Sequence, residues 1–357
     1  MAHLPAADLL EAEVQSGRLG AATLLLARHG QITAEVAFGR LAAHPAAPAV
    51  RPDSVFILGS IAKPVTVAAL MLLIERGQAD LDDRVDRHLP EFRGGERSRV
   101  RLRDLLRHTS GLPDMLPENA ELRRRHASLA DFFAETLQTP LLYSPGSQFL
   151  YSSMGTLLAA VIVERLAGQP LPGFVRQEIF LPLGMAASSF GLGGRAIEAT
   201  VQCARAPGLD PADEARFGPN TAYWRNLAAP WGCMHSNAAD LAILLHAFLA
   251  GGSRAGRRIW APATVAAMIS DQNTALAAPW GLGWALARAK AWNVFGGLVA
   301  PGTFGHTGSP GTLAWADPTT QQVCVVLTNR NYAADDGRLL RQVSNAVAAS
   351  ARAGDGP

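Results

Sequence analysis

Between Gly59 and Gly77 the chain carries a segment that cannot lie on a protein surface as a helix. From Ile61 to Arg76 the residues are apolar or strong helix formers, and Val65–Ile74 offers no polar face beyond Thr66. A helix that is apolar all round has to be buried between other layers. The fold must therefore supply structure on more than one side of it. The short apolar run Val55-Phe56-Ile57-Leu58 leads into Gly59, and Gly77 provides a stop. Pro64 is compatible with a helix only near its beginning, where the first turn has no N–H partner to lose. Ser60 then falls at the helix start, where free N–H groups and the positive end of the dipole favour developing negative charge.

Lys63 follows Ser60 by three residues, which places both side chains on one face of the helix. The chain has two lysines against 30 arginines. Arginine stays protonated in proteins, whereas a buried lysine can release its proton. A sequence that meets almost every need for positive charge with arginine has kept a titratable amine beside a hydroxyl. That is the pairing a serine nucleophile requires.

The 357 residues can bury one large core, in one domain or two closely joined lobes. With 48% hydrophobic residues, 17% charged residues and a net charge of +2, the composition is that of a globular protein without a nucleic-acid-binding character. The run Arg123-Arg124-Arg125 reads as a solvated helix face. Cys203, Cys233 and Cys324 are odd in number and far apart, which favours buried small apolar groups over a disulfide framework. The nine histidines show no metal-binding spacing, so neither a metal nor a cofactor is expected. Met1-Ala2-His3-Leu4-Pro5 lacks a basic segment followed by an apolar one, and Met154–Val163 is cut short by Glu164-Arg165. These features give the expectation of a cytoplasmic protein with no membrane or nucleic-acid partner.

Along the chain, Ala6–Gln15 reads as an amphipathic helix, and Ala21–Arg28 with Ile32–Gly39 as a hairpin turning at His29-Gly30. Residues 80 to 190 are dominated by helical patterns. Extended runs return at Gly302–Thr307, Thr312–Ala316 and Gln322–Thr328, before a last helix over Arg338–Ser350. Strands at both ends with helices between them predict an α/β (α+β) fold: one antiparallel sheet built from both termini, flanked by helices, with an inserted helical lobe. The expected division is a single unit over 1–357, with an α/β lobe of 1–79 and 230–357 and a mainly helical lobe of 80–229.

Several blocks together resemble the serine beta-lactamase-related hydrolases of class C type, a group that includes family VIII carboxylesterases and D-peptidases. They are Gly59-Ser60-Ile61-Ala62-Lys63-Pro64, Leu105–Pro113 with its His108-Thr109-Ser110-Gly111, Ser144-Pro145-Gly146 followed by Tyr151-Ser152-Ser153, and Gly305-His306-Thr307-Gly308. Leu181–Met185, Gly281–Trp284 and Leu327–Arg330 extend the match, which covers about residues 10 to 345. The resemblance implies a beta-lactamase/penicillin-binding transpeptidase-like fold with the site between its lobes.

On that resemblance Ser60 is the acylated nucleophile, Lys63 its proton-sharing partner, and Tyr151 the general base, its phenolate favoured by an adjacent ammonium. The backbone N–H groups of Ser60 and Ser309 form the oxyanion hole. Ser153, His306, Thr307, Gly308 and Trp231 contact substrate, Gly308 by letting it approach the strand closely. Trp224, Trp280 and Trp284 are candidates for the floor of the cleft, and His108 reads as structural. Two positions depart from the family's lactamases: Ser153 replaces the Asn of Tyr-x-Asn, and His306 replaces the Lys of Lys-Thr-Gly. Both affect recognition of a beta-lactam rather than acyl transfer. The expected activity is a serine carboxylesterase acting on a small-molecule ester. A D-amino-acid amidase, peptidase or weak beta-lactamase acting on an amide, an acyltransferase, and an inactive binding protein on the same fold are the alternatives.

Overall fold

The computed structural model describes residues 4–289 and 294–352. Strands β1 (Ala21–Arg28) and β2 (Gln31–Gly39) form the expected hairpin. Its two-residue turn places His29 and Gly30 at φ of 48° and 79°, the positive values that match strand twist in a tight hairpin. Near the other end come β6 (Ala285–Leu286), β7 (Phe304–Gly308), β8 (Thr312–Asp317) and β9 (Gln322–Thr328). All six join one antiparallel sheet in the order β2-β1-β9-β8-β7-β6. Residues 300 apart in sequence meet at its centre, where Leu25 faces Val325. The mixed α/β architecture with this sheet agrees with the sequence expectation, and β6 is an added edge strand too short to leave an alternating pattern.

Both faces of the sheet are covered, which is why β1 reads as a continuous apolar run rather than an alternating one. Helices α1 (Pro5–Gln15) and α6 (Arg338–Arg352) pack together on the outer face against Leu24, Leu26, Val326 and Trp315. The indole N–H of Trp315 donates to Ser344 Oγ at 2.6 Å and ties α6 to β8. The inner face, with Leu25, Val325 and Leu327, joins a second core shared with α2 (Ala62–Glu75), α4 (Ser153–Ala167) and α5 (Ala238–Leu249). Between α2 and α4 in the chain, α3 (Leu129–Gln138) starts with a capping box on Ser128 and Asp131. A small sheet of β3 (Phe56–Ile57), β4 (Ser189–Phe190) and β5 (Met234–Ser236) also lies beside the site.

Helix α2 is buried from Ala62 through Leu73, as its all-apolar surface requires. Beyond Lys63, the polar residue of this stretch is Thr66, which donates to Pro230 O at 3.0 Å. The three cysteines are free thiols, with Cys233 and Cys324 buried and Cys203 partly so. Among the described residues no helix is long and apolar enough to cross a membrane.

Candidate active site

Ser60 sits in a single 3₁₀ turn, Gly59–Ile61, that runs directly into α2. The turn is wedged against the end of β7. A Cβ placed on Gly59 would meet the Ser309 amide nitrogen at 2.9 Å, so the Ser309 backbone lies beside the nucleophile turn. A Cβ on Gly308 would sit 1.9 Å from the Leu58 carbonyl oxygen. Thr312 Oγ1 donates to that same oxygen at 2.6 Å. Gly308 therefore admits the turn that carries Ser60. Gly308→Ala is expected to cost on the order of 1–3 kcal/mol, read as a lower urea midpoint. By displacing the turn from Ser309 it should also cut turnover by about 10²-fold. A variant with wild-type midpoint and turnover would show that the contact is compliant.

Lys63 is 1% exposed. Its Nζ donates to Ser60 Oγ at 2.9 Å and to the Trp231 carbonyl at 3.0 Å, and lies 4.6 Å from the centre of the Tyr151 ring. Burial lowers its pKa from 10.5 to about 7, against an opposing pull from Asp114. Tyr151 stands just before α4, and its hydroxyl is hydrogen-bonded to Ser60. Burial pushes the phenol well above its ordinary value, only partly offset by the Ser60 bond, and Asp114 pushes it further. The expectation that a neighbouring ammonium draws Tyr151 toward phenolate is not met. Of the two groups beside Ser60, the one poised to accept a proton near neutral pH is Lys63.

His306 is 3% exposed and does not line the cleft. Its Nδ1 lies 2.6 Å from Thr307 O. A carbonyl only accepts, so Nδ1 carries the proton and Nε2 is left as the acceptor facing the Tyr151 hydroxyl at 3.4 Å. Burial and Lys63 lower the His306 pKa to about 3, so the ring stays neutral. His306 thus contacts Tyr151, and Thr307 is also absent from the cleft lining. His108 also packs on the Tyr151 ring, with centroids 4.6 Å apart, and accepts the Ser152 N–H on Nδ1 at 3.2 Å. Trp280 closes this aromatic layer, 5.2 Å from His108, while Trp284 packs deeper against Phe248.

The cleft above these groups, about 440 Å³, brings together Ser60, Tyr151, Ser153, Ser309 and Trp231, with Trp224 on its wall. The Ser153 hydroxyl donates to Asp114 Oδ1 at 2.6 Å, and the Ser153 N–H reaches the same oxygen at 2.9 Å. Asp114 itself lines the cleft and was not singled out in the sequence, where it is one residue of a Pro-rich loop. Among the described residues no group of His, Cys, Asp or Glu side chains is disposed to hold a metal ion. The arrangement offers a hydroxyl, an amine that can take its proton, and backbone N–H groups from a turn and a strand end. Together these suit acyl transfer.

A family model described as Beta-lactamase matches residues 6–349. The chain belongs to the Beta-lactamase family. Among its Beta-lactamase-family relatives is a putative D-alanyl-D-alanine carboxypeptidase of Escherichia coli (strain K12), 28% identical over 292 residues. That match takes in 74% of this chain and 66% of the relative, just under two thirds of its length. Among solved structures, EstCE1, a hydrolase with promiscuous acyltransferase activity, superposes with a TM-score of 0.78 at 25% identity, over 96% of this chain and 97% of the other. A family VIII carboxylesterase superposes with a TM-score of 0.77 at 20% identity, over 95% of each chain, a likeness of fold alone. This fold is thus shared with a protein described as a hydrolase with acyltransferase activity.

Proposed function

We propose that the protein is a serine carboxylesterase that cleaves small esters through an acyl-enzyme on Ser60. The observation that carries this reading is the 2.9 Å bond between the Ser60 hydroxyl and Lys63, whose amine burial brings to about 7. Neutral Lys63 takes the Ser60 proton as Oγ attacks the carbonyl carbon. The N–H groups of Ser60 and Ser309 receive the oxyanion. The proton then passes through the Tyr151 hydroxyl to the departing alkoxide as the C–O bond breaks, leaving the acyl group on Ser60. Water repeats the sequence in reverse and releases the acid. Tyr151 acts as a relay whose hydroxyl is oriented by His306, not as a standing phenolate.

Ester rather than lactam is favoured by two side chains. Neutral His306 supplies no fixed charge at the sheet edge, and the Ser153 hydroxyl is already committed to Asp114. The carboxypeptidase relative supports a second reading, hydrolysis of a D-alanyl amide, by the same steps. Comparing kcat/KM for p-nitrophenyl esters, D-aminoacyl amides and nitrocefin separates the two. Short esters are expected to lead by at least about tenfold, a 1.4 kcal/mol difference in transition-state binding. A lead for the D-alanyl amide would replace the esterase reading with a peptidase.

A further inference from the structure

The cleft holds a cation that the acyl-transfer steps leave unused. The sequence places Arg123, Arg124 and Arg125 on one solvated face, but the structure separates them. Arg124 turns outward and pairs with Asp213 at 2.8 Å. Arg123, in the short helix Asn119–Arg124, turns inward and lines the cleft that contains Ser60. Its guanidinium carbon lies 3.9 Å from the centre of the Trp224 ring, and its Nε donates to Asn119 Oδ1 at 3.0 Å. Among the described residues no carboxylate pairs with it. Burial lowers its pKa, opposed only by Cys233 and Tyr223, and a guanidinium remains charged regardless. The acidic groups of the same cleft are engaged elsewhere, Asp213 by Arg124 and Asp114 by Ser153.

A guanidinium seated over an indole and held through Nε keeps its two terminal nitrogens for a planar anion. This is the arrangement that makes arginine suited to bidentate carboxylate binding. Desolvation in the cleft strengthens such a bond relative to one in water. We propose that Arg123 is a specificity-determining residue that binds a carboxylate carried by the substrate, on the helical wall of the cleft rather than at its sheet edge. The substrate class is then an ester bearing a free carboxylate, either a half-ester of a dicarboxylic acid or an ester of a hydroxy acid. The inference rests on the esterase reading for its chemistry, and on Arg123, Trp224 and Asn119 for its selectivity.

The test compares kcat/KM within two pairs. For a carboxylate on the acyl side the pair is p-nitrophenyl hemiglutarate and p-nitrophenyl valerate. For one on the alcohol side it is 3-carboxypropyl butanoate and butyl butanoate. In one pair the wild type is expected to favour the anionic ester, and Arg123→Gln should lower that anionic-to-neutral ratio roughly 10- to 100-fold, mainly through KM. Arg123→Lys should restore part of it, since a point charge replaces a fork. Glutarate binding to the Ser60→Ala protein, measured by calorimetry with and without Arg123→Gln, gives a readout that needs no turnover. If no ester is cleaved but glutarate binds in an Arg123-dependent way, the esterase reading falls and the carboxylate site stands. If esters are cleaved with a wild-type ratio at or below one in both pairs, or a ratio that Arg123→Gln leaves unmoved, the carboxylate site is overturned.

Discussion

Replacing Ser60 by alanine is expected to lower kcat/KM for a p-nitrophenyl ester on the order of 10⁶-fold, the scale on which loss of a serine nucleophile acts. The substitution removes the atom proposed to form the acyl bond. Among the cleft residues the Ser153 hydroxyl is bonded to Asp114 and is not hydrogen-bonded to Lys63. Intact-mass spectrometry after a fluorophosphonate should show one adduct on the wild type and none on Ser60→Ala. The fold should survive, because Ser60 occupies a turn whose position is set by Gly59, Gly308 and Pro310 rather than by its own side chain. Labelling that persists in the alanine variant would overturn the assignment of the nucleophile.

The second large effect is expected at Lys63. Arginine there keeps a positive charge but gives up the titratable amine, so Lys63→Arg should lose on the order of 10²–10⁴-fold in kcat/KM, or more. In the wild type, kcat/KM should rise with pH through about 7 and then level, because neutral Lys63 is the proton acceptor. Residual activity in Lys63→Arg should lack that rise. The same shift has a stability consequence of definite sign. The folded amine releases its proton at about 7, and the unfolded one at its ordinary 10.5. Between these values the unfolded chain holds the extra proton, so the fold gains stability as pH rises across this window. Below pH 7 the burial cost stands in full. Lys63→Met should therefore stabilise the fold near pH 6 while abolishing activity, read as a higher urea midpoint. Near-wild-type turnover in Lys63→Arg would reduce Lys63 to an electrostatic support.

Features that depend on pattern were legible in the sequence. The unbroken apolar surface of α2 demanded burial, two strand runs joined at His29-Gly30 marked the hairpin, and β-strand runs near both ends implied a shared sheet. The spacing of Ser60 and Lys63 anticipated their 2.9 Å contact because one helical turn fixes it. What the sequence did not carry is the environment of each side chain. Three consecutive arginines look alike until packing turns Arg123 onto Trp224 and Arg124 out to Asp213. The protonation of Tyr151 depends on how deeply its ring is packed, which no motif records. His306 alternates along β7, and only the sheet's position decides that it meets Tyr151 instead of solvent. Gly308 signalled a close approach correctly, but what approaches is the Leu58 carbonyl.

The central pairing of β1 with β9 also governs when the protein can first become active during its synthesis. Ser60, Lys63 and Tyr151 are all made in the first half of the chain, while the strand that positions Ser309 belongs to a sheet whose middle member, Gln322–Thr328, comes close to the end. A nascent chain that has reached α4 already holds Ser60, Lys63 and Tyr151 but has no partner for β1 except β2. Bringing Leu25 to Val325 closes a loop of nearly the whole protein, a slow, non-local step. The ribosome-bound protein is thus expected to remain unreactive toward a serine-directed probe until β9 has emerged and paired, with reactivity appearing late and all at once.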